Sequence, residues 1–318
     1  MDILYIGIGA IIVISFIAIY VIAKMVGTEK LVGRAILSFS LLLAFVGGGV
    51  YVYLGGNPFT KEEVEEVITE EKPYVVKAND QVTYFPTFSE AVAFSRSLGS
   101  PVPVYFFETL AWDETNDIPS TIIQVPLILQ LPELARGSEV TSLTMLLNYA
   151  GVKVRKLELA ALIRKDQTPL SRDGERIFYG HPNDGFVGNI YSTNQPGIGV
   201  FHKPILELAE NFLPEKMVDM TGAEFEDILH PIHQGIPVWA LIHTQFRTLP
   251  ESSFQKIVTP SGEIEVTPYQ HAVLITGFDE RYVYFNDPTS KEVNRPILKE
   301  QFKAAWQQMG SQAISYVK

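Results

Sequence analysis

No cysteine occurs anywhere in the chain. That absence excludes a disulfide framework, a thiolate metal site and cysteine-based chemistry of any kind. It also makes the fold indifferent to the redox state of its compartment. Basic residues are scarce as well, with 25 Lys and Arg against 36 Asp and Glu in 318 residues. The first 56 residues take only three of the basic and two of the acidic residues, leaving 22 against 34 in the rest, a net −12. Such a surface repels nucleic acid and anionic lipid, so neither is expected as a partner of that part. Internal repeats and low-complexity segments are also lacking.

Charge is missing altogether from two stretches, residues 3–23 and 35–54. Each has about the 20 residues that an α-helix needs to cross a bilayer. Between them "KMVGTEKLVGR" carries Lys24, Lys30 and Arg34 against Glu29, while Met1 and Asp2 offer no basic residue. The positive-inside rule makes that loop cytoplasmic, so the chain beyond Leu54 is expected outside the cytoplasm, on a two-pass anchor in the cell membrane. A secretory signal peptide would need a basic start and an early cleavage site, and neither is evident.

Past the anchor, residues 1–56, the pattern divides three ways. Residues 57–72 read as an acidic helical stalk, with Thr60 and Glu63 as a capping box and Val64, Val67 and Ile68 as a narrow apolar stripe. Residues 73–118 read as a small helix–strand module. In "TFSEAVAFSRSLG" Thr87 caps, Glu90 answers, and Phe88, Ala91, Val92, Ser95 and Leu98 share a face ended by Gly99, before the strand-like "PVPVYFFE". The turn-rich "DETNDIPS" marks a boundary. In residues 119–318 helical segments gather early and strands late, with "TIIQVPLILQ", "IPVWALIHTQF", "EIEVTPYQHAVLITGF" and "RYVYFNDPT" strand-like. That order predicts an α+β fold. The long loop "YGHPNDGFVGNIYSTNQPGIGV" is of the kind that carries function.

Two places in this last segment carry chemistry. In "RGSEVTSLTMLLNYAG" the apolar positions Val140, Leu143, Leu146, Leu147 and Ala150 predict a helix buried on a broad face. Ser138 at its start reads equally as a helix cap or as a nucleophile, since a helix N-terminus offers free N–H groups and partial positive charge to a developing anion. In "HAVLITGFDERYVYFNDP" two strands flank a short turn. With Phe278 to Glu280 as a three-residue loop, Gly277 faces Arg281 and His271 lies opposite Asp287. A carboxylate so placed fixes the tautomer of an imidazole and stabilises its cation. A strand-end histidine beside an Asp-Pro turn is the plainer reading.

The blocks "VPLILQLPELARGSEVTSLTMLLNYAG", "DGFVGNIY…PGIGVFHKPI", "GIPVW" and "HAVLITGFDERYVYFNDP", taken in order, resemble the peptidase C-39-like family. These are papain-like bacterial cysteine peptidase domains related to those that trim bacteriocin leaders. The likeness runs from about Thr121 to the C-terminus, and "FPTFSEAVAFSRSLGSPVPVYF" resembles a module often found upstream. The resemblance implies a papain-like cysteine-peptidase fold behind the two membrane helices. It puts the family's oxyanion glutamine on Gln130, its base on His271, its orienting aspartate on Asp287, and its nucleophilic cysteine on Ser138. No cofactor and no metal is implied, and the absence of a phosphate-binding G-x-x-x-x-G-K-[ST] sets the chain apart from ATP-driven exporters.

Serine at that place changes the chemistry. A thiol, with a reference pKa near 8.5, is stored as thiolate beside an imidazolium, whereas a hydroxyl must lose its proton as it attacks. The expectation is therefore a cleft that binds peptide or cell-envelope peptide with hydrolysis weak or absent. An active Ser138–His271–Asp287 triad with Gln130 in the oxyanion hole is the alternative. His230 and His233 in "HPIHQ" make a poor metal site with Pro231 between them, and His181, His202 and His243 read as structural. Trp239 reads as core.

Overall fold

In the computed structural model, which describes residues 72–114 and 119–318, the first elements form a small sheet of their own. Strands β1 (Tyr74–Ala78) and β2 (Gln81–Phe85) are joined by a tight turn in which Asn79 and Asp80 both take positive φ, residue types that tolerate the left-handed region. Helix α1 (Phe88–Ser97) follows, capped by Thr87, whose hydroxyl accepts the Glu90 N–H at 3.3 Å. Strands β3 (Val104–Phe106) and β4 (Thr109–Trp112) complete an antiparallel sheet in the order β2-β1-β3-β4. The single strand expected from "PVPVYFFE" is thus the first arm of a hairpin, folded back at Phe107.

The second sheet carries His271. After β5 (Thr121–Ile122) come helices α2 (Ser138–Tyr149) and α3 (Lys156–Leu162), then short strands β6 (Lys165–Asp166), β7 (Ser171–Asp173), β8 (Arg176–Phe178) and β9 (Phe186–Val187). Helix α4 (His202–Glu210), strand β10 (Met217–Asp219) and helix α5 (Phe225–His233) lead into β11 (Val238–His243). The rest is β12 (Gln255–Thr259), β13 (Gly262–Val266), β14 (Gln270–Phe278), β15 (Tyr282–Asn286), β16 (Arg295–Leu298), helix α6 (Lys299–Gln308) and β17 (Ala313–Tyr316). Seven strands form an antiparallel sheet along the path β10-β17-β11-β14-β15-β16, with β5 added to β14. A smaller sheet, β13-β12-β8-β7, and the parallel pair β6–β9 stand apart from it. The mixed α+β character expected from the order of segments is what the chain has.

Three expectations need correction. Of "TIIQVPLILQ" only Thr121 and Ile122 pair as a strand; Pro126 has no N–H to donate, and the remainder runs extended beside the sheet, with Gln130 N bonded to Pro288 O at 2.9 Å. Helix α2 is not buried on one face but on every side from Ser138 to Leu147, because α3, α4, β11 and β14 all pack against it. Polar residues are therefore carried into the core, and Ser142 Oγ satisfies itself by donating to Ala272 O at 3.1 Å. The third correction, the register of β14 on β15, bears on the site and is treated there.

The apolar runs at residues 3–23 and 35–54 and the acidic stretch up to residue 71 lie outside the described residues. Among the described residues no helix is long and apolar enough to cross a membrane. The described residues make one compact unit, in which the sheet of residues 74–112 and the three sheets of residues 121–316 pack together.

One buried carboxylate fastens them. Asp227 on α5 takes a forked pair of hydrogen bonds from Arg96 of α1, at 2.7 and 3.0 Å, and a third from Trp112 Nε1 of β4 at 3.0 Å. Arg96 also stacks over the Trp112 ring, 5.0 Å from its centroid. Removing the guanidinium leaves Asp227 buried with a single neutral donor. Arg96→Met is expected to lower the unfolding free energy by about 2–3 kcal/mol, less than a fully enclosed pair because Arg96 is a third exposed. A urea titration that showed no loss would remove this contact from the account of how the two sheets are joined.

Candidate active site

Three parts of the chain meet at the N-terminal end of α2. The first is the turn from Gln130 to Gly137. Gly137 is the residue before the helix, and its α-carbon sits so close to the Leu134 side chain that any Cβ there would collide. Ser138 is accordingly the first helical residue and not the cap, and its side chain makes no capping bond. The cap reading of Ser138 is thus corrected: the chain reaches the helix too tightly for a capping side chain, and the hydroxyl is turned to other partners.

Those partners are specific. Ser138 Oγ donates to Glu139 Oε2 at 3.0 Å and accepts the N–H of Ala272, the residue after His271, at 3.2 Å. The second part of the site is thus β14. His271, also buried, directs Nε2 to Asp287 Oδ1 at 2.8 Å, which leaves Nδ1 as the ring atom for any exchange of protons. Its ring stands edge-on to Phe246, centroids 6.3 Å apart.

The third part is the turn after β15. Asp287 meets His271, though not by the register expected. Gly277 faces Tyr284 and Leu274 faces Asn286, a slip of two to three residues, with an irregularity between Ile275 and Gly277. The turn between the strands is tighter and further along than Phe278 to Glu280, since Asp279 N bonds Tyr282 O. Continued one step, this register sets Asp287 across from Val273, so Asp287 and His271 are diagonal neighbours on one face of the pleat. Diagonal pairs still lie within reach of long side chains. The rest of the Asp287 carboxylate is occupied too: Oδ1 accepts Thr289 N at 2.8 Å and Thr289 Oγ1 at 2.7 Å, and Oδ2 accepts Arg295 Nη1 at 3.0 Å. Arg295 lies over the Phe246 ring at 4.8 Å.

Gln130 closes the arrangement. Its backbone N–H bonds Pro288 O at 2.9 Å, and its carbonyl accepts Leu134 N at 3.0 Å and Lys156 Nζ at 3.0 Å. The side chain is buried, with Nε2 at 3.4 Å from Ala135 O and Oε1 without a partner among the described residues. Three hydrogen bonds thus tie the three parts into a ring: Ser138 to the backbone after His271, His271 to Asp287, and Gln130 to the residue after Asp287. All four residues singled out in the sequence lie in this ring.

The two carboxyls of the site are displaced in opposite directions. Burial alone would raise Asp287, but the His271 bond and charge and the Thr289 donors outweigh it and hold its carboxyl well below the ordinary range. Glu139 is raised, because burial outweighs the hydrogen bonds it receives from its own backbone N–H, Gln270 Nε2 at 3.0 Å, Val200 N at 3.3 Å and Ser138. Gly199 makes room for it: a Cβ at this residue, whose φ is +102°, would overlap the Glu139 carboxylate. Glu139, Gln270, Thr289 and Arg295 were not singled out from the sequence. Glu139 looks there like a first-turn acid facing the helix dipole, and only its burial shows otherwise.

The loop expected to carry function lies against Arg136, two residues before Ser138. Arg136 N bonds Ile190 O at 3.0 Å and Arg136 Nη1 bonds Ser192 O at 2.5 Å. A groove of about 720 Å³ opens on this loop, lined by Tyr179, Asn189, Ile190, Tyr191 and Gln195 among others and by none of Gln130, Ser138, His271 and Asp287. Four of the five remaining histidines have a partner elsewhere: His181 Nδ1 accepts Asn183 N–H at 3.0 Å, and His202 pairs with Asp219 at 2.9 Å, His243 with Gln308 at 3.3 Å and His230 with Gln234 at 2.9 Å. Trp239 is core, its Nε1 bonded to Glu139 O at 3.0 Å. Among the described residues no group of three or more His, Asp or Glu is set to hold a metal.

The Peptidase_C39 like family matches residues 122–314, more than half of the chain. The chain belongs to the peptidase C39-like family. It is 42% identical over 183 residues to the uncharacterized protein YvpB of Bacillus subtilis (strain 168), a match that covers 58% of this chain and 70% of that one. A crystal structure of a protein assigned as a C39-like peptidase from Bacillus anthracis is 44% identical and superposes with a TM-score of 0.59, covering 63% of this chain and 98% of its own. The papain-like C39 fold expected from the sequence is therefore the fold of this domain.

The direction of the Asp287 shift fixes a pH dependence. A carboxyl whose pKa is lower folded than unfolded stabilises the fold above its unfolded value, and that contribution fades as the pH falls toward the folded value. Asp287→Ala should cost about 3 kcal/mol at neutral pH and progressively less below roughly pH 4. Urea unfolding of both forms across that range checks the sign; a gap as wide near pH 2 as at neutrality would contradict it.

Proposed function

We propose that this C39-like domain binds peptide, or the peptide of the cell envelope, in its papain-like cleft and hydrolyses it weakly or not at all. The observation that carries the reading is the direction of the Ser138 proton. It is given to Glu139 and not to His271, while the lone pair toward β14 is taken by Ala272 N–H. A hydroxyl whose donor and acceptor roles are both engaged needs a rearrangement before it attacks a carbonyl, and serine has no stored anion to fall back on. The groove beside Arg136, with Tyr179 and Tyr191 and the amides of Asn189 and Gln195, offers faces for side chains and partners for a peptide backbone.

A second reading, a Ser138–His271–Asp287 hydrolase, is favoured by the 2.8 Å bond between His271 and Asp287 and by the burial of both. In that case the Ser138 proton passes to His271 as Oγ bonds to the substrate carbonyl carbon. Asp287 holds the imidazolium, and Gln130 with the N–H groups of the first turn of α2 faces the oxyanion. We also propose a membrane setting, with residues 3–23 and 35–54 as two spans and the domain outside the cytoplasm. The two uncharged runs and the basic loop between them support it.

Turnover and binding of a peptide library by the chain and by Ser138→Ala separate the two readings. The expected result is retained peptide binding in both and turnover that differs little between them. Robust hydrolysis abolished by alanine would overturn the binding reading in favour of the triad. Ser138→Cys is expected to give a thiol alkylated by iodoacetamide faster than free cysteine, because His271 and the helix terminus remain in place.

A further inference from the structure

We infer that Glu139 is a positioning residue that sets the direction of the Ser138 proton, and that its carboxylate is what keeps His271 from acting as base on that hydroxyl. This rests on the reading of Ser138 as the nucleophile's position but not on whether the natural site turns over.

With Glu139 ionised, the hydrogen-bond inventory sets the polarity. A serine hydroxyl has one proton, and an ionised carboxylate only accepts. Besides its own backbone N–H, Glu139 receives Val200 N–H and Gln270 Nε2 at Oε1, and Ser138 at Oε2. Ala272 N–H already donates to Ser138 Oγ, so the hydroxyl has a donor on one side and an acceptor on the other. Its proton has one place to go, the carboxylate. The carboxylate is held there from several sides. A backbone N–H from the residue after Gly199 and a side chain from the residue before His271 fix Oε1, and Gly199 presents no Cβ to push it away. The backbone carbonyl of Glu139 is pinned by Trp239 of β11.

A single isosteric change inverts this. In Glu139→Gln the side that faces Val200 N–H and Gln270 Nε2 must remain an oxygen, so the amide nitrogen turns to Ser138. The hydroxyl then faces two donors, Ala272 N–H and the new amide, and must send its own proton elsewhere. The base that the triad reading supplies for it is Nδ1 of His271, the ring nitrogen that Asp287 does not hold. The site is thereby changed from a hydroxyl aimed at a carboxylate to one aimed at an imidazole with no change in side-chain shape.

The test uses a fluorophosphonate probe, followed by the mass gain on the peptide that contains Ser138. In the labelling step Ser138 Oγ bonds to phosphorus, the phosphorus–fluorine bond breaks, fluoride leaves, and the hydroxyl proton goes to His271. Glu139→Gln is expected to label at least about tenfold faster than the unaltered chain, the scale of one charged-group hydrogen bond. Adding His271→Ala should return it to the starting rate, an outcome that a merely structural role for Glu139 would not produce. Glu139→Met, which removes the acceptor without adding a donor, is expected to rise in the same direction. An unchanged rate in either folded variant, or a gain that survives His271→Ala, would overturn the inference, and so would loss of the thermal unfolding transition in both. Because the readout is a ratio between variants, it stands apart from the peptide-binding reading, which fails or holds on the unaltered chain alone.

Discussion

Burying the polar first turn of a helix inside a protein core is the constraint on which the site depends. Helix α2 is enclosed from Ser138 to Leu147, so each polar group at its N-terminal end must find a partner in the protein. Gly137 lets the chain enter against Leu134, Gly199 leaves space for the Glu139 carboxylate, and Trp239 takes up the Glu139 carbonyl. Ser142 and Ser138 tie the same helix to both sides of Ala272, one through its carbonyl and one through its N–H. That pair of bonds sets the height of the helix against β14, and with it the height of Ser138 against the residue beside which it lies, His271. The central sheet therefore does more than support the helix; it indexes it.

Two carboxyls flank this indexed pair, and their environments push them apart. Asp287 sits beside an imidazole and a guanidinium and receives two bonds from Thr289, so its charge is favoured even though it is buried. Glu139 is equally buried but meets only neutral donors, so burial prevails. Separated pKa values of neighbouring acids are how a fold assigns different roles to like residues. Here the assignment is of a permanent anion behind the imidazole and of a more basic carboxyl at the hydroxyl. Arg295 complicates the first role, because a cation on Oδ2 offsets part of the charge that Asp287 presents to His271. The stacking of Arg295 on Phe246, which in turn meets the His271 ring, makes a continuous packed line from the guanidinium to the imidazole.

Much of this was legible in residue order, for reasons that can be named. Thr87 and Gly99 bracket a helix because local hydrogen bonds and positive φ decide its ends, and both are local properties. The concentration of strands after residue 237 follows from β-branched and aromatic runs, which report burial in a sheet. The hairpin reading already brought His271 toward Asp287, but that Ser138 and Gln130 join them was visible only through the pattern of blocks along the chain. The register that brings Asp287 to His271 was not: an irregularity at Thr276, where Ile123 N bonds the carbonyl at 2.6 Å, depends on a strand more than a hundred residues earlier. Glu139 was hidden for a related reason. An acid in the first turn of a helix is ordinary, and nothing near it in sequence says that Gly199 and Gln270 will close over it.

On the proposed reading, in which Ser138 stands at the nucleophile's position, oxygen in place of sulfur changes more than acidity. A thiol is a weak donor and a weak acceptor, so the Ala272 N–H and the Glu139 carboxylate would hold it loosely and leave its anion free to pair with an imidazolium. A hydroxyl binds both strongly. The frame that indexes the helix on β14 thus becomes, with serine in it, a frame that engages the nucleophile. On the proposed reading the cleft keeps its shape because its walls, the Gln130 turn, the loop at Ile190 and the Asp287 turn, are held by backbone bonds that do not involve residue 138. Recognition and reactivity are then separable in this fold: the first resides in backbone contacts between three segments, and the second in where one proton points.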